Sequence, residues 1–127
     1  MQPNVSIRKD RVISVVDPAA MDVAIAHQII ERVVVHAREL RQHSEHVYIL
    51  VDVRQIEQDS EQVREAMFNG VKKLDFDRIA VLGVNKLQTK TINMLLLTAQ
   101  IFRVEPNREK IKLFTDEQSA ELWLIRP

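Results

Sequence analysis

The 127-residue sequence predicts a single α/β domain over residues 1–127, with a mixed but mostly parallel sheet of about four to five strands. Three observations support this prediction. Strand-like and helix-like segments alternate in the order ββαβαβαβα, which is typical of parallel sheets. Two continuous apolar runs have the character of strands buried on both faces. The first two strands are close enough in sequence to form a hairpin, and the helices are expected mainly on one face of the sheet.

The N-terminal segment is predicted to form two short strands around a tight turn at Lys9-Asp10. Val, Ile and Ser alternate over Val12–Val16, a pattern that favours a β-strand. Asp17 and Pro18 end this strand. We expect Asp17 to cap the next helix, with Pro18 in the first turn, where a missing N–H costs little.

A long helix is predicted from Ala19 to about Arg41. Its apolar residues recur at steps of three and four and so share one face: Val23, Ala26, Ile30, Val33, Ala37 and Leu40. The triplet Val33–Val35 is β-prone, which leaves a break possible, but the periodicity is the stronger signal.

The remaining elements follow the same alternation. Strands are predicted at His46–Val53, Asp77–Val84 and Ile111–Thr115. Helices are predicted at Ser60–Leu74, at Thr89–Val104, and from a capping-box pattern at Thr115–Gln118 through Trp123.

Composition argues against several classes of protein. The chain carries 18 basic and 18 acidic residues, and a net charge of zero is unusual for a nucleic-acid binder. The absence of cysteine removes disulfides, thiol catalysis and zinc–cysteine sites, and it suits a cytoplasmic protein. We expect no signal peptide, because residues 1–11 lack an apolar segment. We also expect no membrane span, because the most apolar run, Ile92–Phe102, is too short.

No catalytic motif stands out in the sequence. The glycine-rich patterns of nucleotide-binding loops and of the nucleophile elbow are missing. No nucleophile is visibly paired with a base. The chain is therefore expected not to be an enzyme and to need no cofactor.

The histidines raise the question of a metal site. His43 and His46 are three residues apart, and His27 and Glu31 are four apart. Such spacing can bring two ligands together, but a metal site needs a third. Solvated surface histidines are the preferred interpretation, and no metal site is predicted.

The predicted helix Thr89–Val104 has apolar residues on two sides. One stripe contains Ile92, Leu95, Leu96, Ala99 and Phe102, and nearly opposite lie Met94, Leu97 and Ile101. A helix lying on a sheet needs only one apolar face. The second stripe must therefore meet a neighbouring helix, a second subunit or an apolar ligand. Met94, Leu97 and Ile101 are the candidate ligand or interface residues.

Three segments resemble STAS domains, especially their SpoIIAA-like branch. They are "YILVDV", "FDRIAVLGV" and "IKLFTDEQSAELWL". The last matches a pattern of strand, Phe-Thr/Pro-Asp and helix through Phe114, Thr115, Asp116, Ala120, Trp123 and Leu124. The resemblance implies a STAS-like fold and a non-catalytic bacterial binding or regulatory module. It further implies a partner protein or an apolar, lipid-like small molecule, while the possible homodimer is inferred from the second apolar stripe.

An alternative function, a phosphorylation switch, would depend on Ser60. Anti-sigma-factor antagonists of this wider group are switched by phosphorylation of a serine in an Asp-Ser-(Ser/Thr)-Gly stretch. Asp59-Ser60-Glu61-Gln62 resembles it in position and in Asp-Ser, but lacks the second hydroxyl and the glycine. Glu61 would also repel a phosphate. The structural interpretation makes Asp59 the helix cap and Gln62 its capping-box partner.

A weaker likeness concerns Asp17, Asp52 and Lys86, each of which follows a predicted strand. Response-regulator receivers hold Mg²⁺ with carboxylates at comparable positions. The paired acids of receivers are missing here, since Pro18 follows Asp17, and the lysine follows a different strand. A receiver-like site is therefore not predicted.

Overall fold

The computed structural model describes residues 4–56, 60–83 and 110–126. The strands in these residues form one sheet in the order β1-β2-β3-β4-β5. They are β1 (Asn4–Ile7), β2 (Ile13–Val16), β3 (Tyr48–Asp52), β4 (Arg78–Leu82) and β5 (Ile111–Phe114). The first pair is antiparallel and the other pairs are parallel. The predicted mixed, mostly parallel sheet is confirmed.

The carboxyl ends of the parallel strands lie level with one another. Val16 pairs with Asp52, Asp52 with Leu82, and Leu82 with Phe114. The pairing continues one residue beyond these strand ends, because the N–H groups of Asp17, Val53 and Gly83 donate to the carbonyls of Asp52, Leu82 and Phe114 at 3.0 Å each. Side chains that follow neighbouring strands are therefore close together at this edge.

Helices α1 (Val23–Gln42) and α2 (Glu61–Lys73) pack on one face of the sheet. The buried residues of α1 are Ala26, Ile29, Val33, Ala37 and Leu40. This is nearly the predicted stripe, except that Ile29 is buried in place of Ile30 and Val23 is 37% exposed. The helix runs through the β-prone valine triplet without a break, because tertiary packing of the apolar face outweighs local propensity.

Helix α3 (Glu117–Ile125) packs on the other face. It places Ala120, Trp123 and Leu124 against Leu50, Ala80, Leu82 and Phe114 of the sheet. Arg78 of β4 fixes its end, since Nη1 donates to the carbonyl oxygens of Trp123 and Leu124 at 3.2 and 3.1 Å. Carbonyls in the last turn of a helix lack intrahelical partners, so the guanidinium satisfies them.

The predicted helix starts were wrong. Helix α1 is capped by Asp22, whose side chain accepts from the N–H of Ile25, and not by Asp17. Helix α2 is capped by Ser60, and α3 by Asp116, not Thr115. Asp17 instead extends the pairing of β2 with β3. The predicted helix Thr89–Val104 lies outside the described residues, and the single-domain assignment for residues 1–127 stays a prediction.

Candidate functional site

An apolar cavity of about 70 Å³ lies between the sheet and helices α1 and α2. Its walls are aliphatic side chains of all four parallel strands and both helices, with Met67 added from α2. The aliphatic lining residues are Val15, Ile29, Ile30, Val33, Ile49, Val51, Val71, Leu74, Ile79, Val81 and Ile111. Asp17 is the one ionisable residue among the described lining. Strand alternation explains the composition, since every second residue of each strand faces α1 and α2.

The approach of α1 to α2 depends on Gly70. A Cβ atom at this buried position would lie 2.5 Å from Cδ1 of Ile30, well inside contact distance. Ile30 is itself a lining residue. The small residue on α2 therefore lets the α1 side chain reach the wall of the cavity.

Asp17 follows β2 on the cavity side of the sheet. Its exposed fraction is 1%, and within the described part of the chain its Oδ1 has no hydrogen-bond partner. Burial raises the pKa of this carboxyl to about 7, with a further contribution from the negative charge of Asp52. The carboxyl group is thus close to half ionised near neutral pH, which is unusual for an aspartate.

Asp52 points toward the opposite face and is held by Arg54. The guanidinium of Arg54 donates through Nε and Nη2 to the two carboxylate oxygens of Asp52, at 3.0 and 2.7 Å. Arg54 Nη2 also lies 3.5 Å from Glu117 of α3. Burial would raise the pKa of Asp52, but the hydrogen bonds and charge of Arg54 outweigh it, so the pKa is lowered. Asp52 is therefore an ionised carboxylate paired with Arg54, whereas the neighbouring Asp17 has no such partner among the described residues.

Gly83 allows this edge of the sheet to close tightly. Its φ angle is +114°, a backbone conformation that residues with a Cβ atom rarely adopt. A Cβ there would lie 2.5 Å from Cγ of Arg54 and 3.1 Å from its backbone nitrogen. The glycine thus makes room for the residue that neutralises Asp52.

Ser60 lies at the start of α2, where the sequence places it. Its Oγ accepts a hydrogen bond from the N–H of Val63 at 3.2 Å, and Glu61 follows in the first turn. The Ser60 side chain therefore has the capping role that was predicted for Asp59. Met94, Leu97, Ile101 and Lys86, which the sequence also singled out, lie outside the described residues.

The histidine pairs are not gathered into a common site. His43 ends α1 as its C-cap, whereas His46 stacks on Tyr48 with ring centroids 5.3 Å apart. Within residues 4–56, 60–83 and 110–126, no three side chains of the metal-binding types lie together. Over the same ranges, no helix has the length and apolar character needed to cross a bilayer.

Sequence reasoning missed the cavity and the burial of Asp17. The signal was present in part, because Asp17 follows β2 and Asp52 is the last residue of β3, and ligands of parallel sheets bind beyond the carboxyl ends of strands. We interpreted Asp17 as a helix cap because Pro18 follows it. A void between packed helices leaves no local pattern that could correct that interpretation.

Comparison with known protein families agrees with the fold. The family model described as SpoIIAA-like matches residues 11–125, a span that includes every described element except β1. No curated protein matched the chain significantly. The match covers most of the chain and confirms the resemblance found in the three sequence segments. The chain therefore belongs to the SpoIIAA-like family and has the STAS-type fold of a regulatory or binding module.

Proposed function

We propose that this domain is a non-catalytic binding module that takes an apolar small molecule into the cavity between α1, α2 and the sheet. The observation that carries the proposal is the cavity's lining, which is aliphatic apart from Asp17 over the described residues. Apolar cavities stay free of water and bind apolar guests, because no polar partners hold water in them.

The size of the cavity limits the guest. A dry cavity of about 150 Å³ binds benzene, so a cavity of about 70 Å³ suits a smaller molecule or a few carbons of a longer chain. Met67 in the wall adds adaptability, because an unbranched thioether side chain changes shape at little cost.

The single ionisable group of the described lining supports a binding role. Over the described ranges Asp17 has no hydrogen-bond partner at Oδ1, and the other lining residues there are apolar. General acid–base or nucleophilic catalysis needs a second positioned polar group beside the first. Such a pair is not found in the described part of the lining.

The stripe of Met94, Leu97 and Ile101 is proposed as a second apolar contact, for the same ligand or for a second copy of the chain. This proposal comes from the helical spacing of these residues. Homodimerisation is the alternative use of that stripe.

A cavity-filling variant tests the binding proposal. Val71→Phe adds a ring to the cavity wall, and Val35→Phe is the matched control, since Val35 lies outside the lining and is 60% exposed. The measurement is methyl NMR under xenon pressure, with xenon as a neutral guest small enough for the cavity. Shifts of Ile49 and Val81 methyl groups are expected in the wild type and in Val35→Phe, but not in Val71→Phe.

Two results would overturn the proposal. One is a wild-type protein whose cavity methyl signals do not respond to xenon. The other is an equal response in Val71→Phe and Val35→Phe, because the guest would then lie elsewhere.

A further inference from the structure

We propose that Asp17 anchors the head of the ligand, and that the ligand is a small aliphatic amine whose ammonium group pairs with the Asp17 carboxylate while its alkyl chain fills the cavity. This inference rests on the proposed function, because it assigns a chemical class to the guest of the same cavity.

The first step is the isolation of the Asp17 side chain. It lines the cavity, is 1% exposed and has no hydrogen-bond partner at Oδ1 among the described residues. Buried polar atoms in folded proteins are nearly always hydrogen-bonded, and an unpaired one is expensive. A donor supplied by the ligand would satisfy this atom, whereas a pure hydrocarbon would leave it unpaired.

The second step concerns the charge of the ligand's head group. Among the described residues, Asp52 on the neighbouring strand is the charged residue that acts on Asp17. The guanidinium of Arg54 is already engaged elsewhere. It donates to both oxygens of Asp52 and lies near Glu117. None of the described lining residues is basic. The described surroundings of Asp17 are therefore short of positive charge, so they favour a cationic head and disfavour a carboxylate or a phosphate.

The third step is the shape of the guest. The remaining described walls are aliphatic, and the volume of about 70 Å³ is roughly half that of a cavity that accepts benzene. This space suits a short alkyl chain. An amine of a few carbons combines such a chain with a donor for the carboxylate.

The proton balance of binding follows from these groups. Alkylamines resemble the lysine side chain and stay protonated throughout the neutral range. Where Asp17 is protonated before binding, its proton leaves to solvent as the ion pair forms, and no covalent bond changes. Binding thus releases one proton at low pH and none where the carboxyl group is already ionised.

The experiment compares n-butylamine, n-butanol and butyrate, which share a chain and differ in the head group. Their dissociation constants are measured by NMR titration with the wild type and with Asp17→Asn, a substitution of nearly equal volume. At about pH 8.5 the wild type is expected to bind the amine at least tenfold more tightly than the alcohol, and butyrate least. The preference is expected to vanish in Asp17→Asn, with butanol affinity changed by less than about twofold.

Asp75→Asn is the matched control. Its carboxyl group is 80% exposed and lies outside the cavity lining. The same loss of one negative charge there is expected to leave the amine preference intact. A loss of preference in both variants would mean that general surface charge attracts the amine, and it would overturn the assignment to Asp17.

A second measurement needs no variant. Calorimetry of n-butylamine binding in two buffers of different ionisation enthalpy gives the number of protons released. Release is expected at about pH 6 and not at about pH 8.5, and amine affinity should rise by up to about tenfold per pH unit below the pKa of Asp17. Equal amine affinity for wild type and Asp17→Asn, or the absence of proton release, overturns the inference. If xenon still binds in that case, the apolar cavity remains and only its amine specificity fails.

Discussion

Asp17 couples its own protonation to folding, because its carboxyl group lies among aliphatic side chains. Burial, together with the charge of Asp52, raises the pKa of Asp17 from 3.8 to about 7. Between these two values the folded protein holds a proton that the unfolded chain has lost. The free energy of unfolding therefore falls as the pH rises through this window, and the loss is complete above about pH 7.

The variant Asp17→Asn should remove this pH dependence. One pKa unit corresponds to about 1.4 kcal/mol, so the shift corresponds to a free energy on the order of 4 kcal/mol. We expect Asp17→Asn to be more stable than the wild type at about pH 8 and to lose most of that advantage near pH 5. Urea unfolding at the two pH values gives the comparison.

Asp52→Asn is the control, because its effect on the free energy of unfolding is expected to have the opposite sign. Arg54 holds the pKa of Asp52 below its usual value despite partial burial. Asp52 therefore stabilises the fold above the unfolded pKa, and this contribution disappears as the pH falls through the folded pKa. Asp52→Asn should thus lower stability at neutral pH. If the stability of Asp17→Asn relative to the wild type does not increase between pH 5 and 8, the assignment of Asp17 as an unpaired, buried carboxyl group is wrong.

Ser60 offers a second prediction, which separates capping from switching. Its Oγ accepts from the N–H of Val63, so Ser60→Ala should lower the free energy of unfolding by about 1 kcal/mol, and Ser60→Asp should retain most of it. Chemical denaturation measures both.

The phosphorylation-switched function remains the alternative proposal for this residue. Intact mass of the protein from its native cells tests it, since a phosphoryl group that Ser60→Ala removes would favour the switch.

At the scale of elements, periodicity predicted the described helices and strands well. The spacing of apolar residues in α1 placed four of its buried residues correctly: Ala26, Val33, Ala37 and Leu40. The continuous apolar runs identified β3 and β4, which have neighbours on both sides and side chains packed on both faces. Such patterns succeed because burial on a face is repeated over many residues.

The helix starts could not be predicted in the same way. Several adjacent residues are good caps, as with Asp59 and Ser60 or Thr115 and Asp116. Packing decides between them. In α2 the N–H that Ser60 caps belongs to Val63, which is 4% exposed, and burial of this kind depends on contacts that are distant in sequence.

At the scale of the whole molecule, the site arises from elements that are far apart in the chain. The cavity needs β2, β3, β4, β5, α1 and α2 together, and Asp17 is isolated only because they surround it. The sequence could indicate strand ends and apolar faces, but not where packing leaves space. The position of Asp52 on the face of α3, opposite to Asp17, likewise follows from sheet register.

At this scale we also propose that assembly depends on the apolar stripe predicted from sequence at Met94, Leu97 and Ile101. If this stripe contacts a second copy or a ligand, a buried charge there would be unpaired and would oppose association. We expect Met94→Glu and Leu97→Glu to keep the circular dichroism spectrum and the cooperative unfolding of the wild type while abolishing the dimer or the retained ligand. Gln100→Glu is the control on the same predicted helix, because Gln100 belongs to neither apolar stripe.

Light scattering after size exclusion, followed by native mass spectrometry of the same peak, reports the subunit number and any bound molecule together. A wild-type chain that is monomeric and free of ligand would contradict the proposed contact. Glutamate variants that unfold would place these side chains in the core of their own subunit, because a charge buried there destabilises folding itself. The loss of dimer or ligand without loss of folding is the result that only an external contact surface produces.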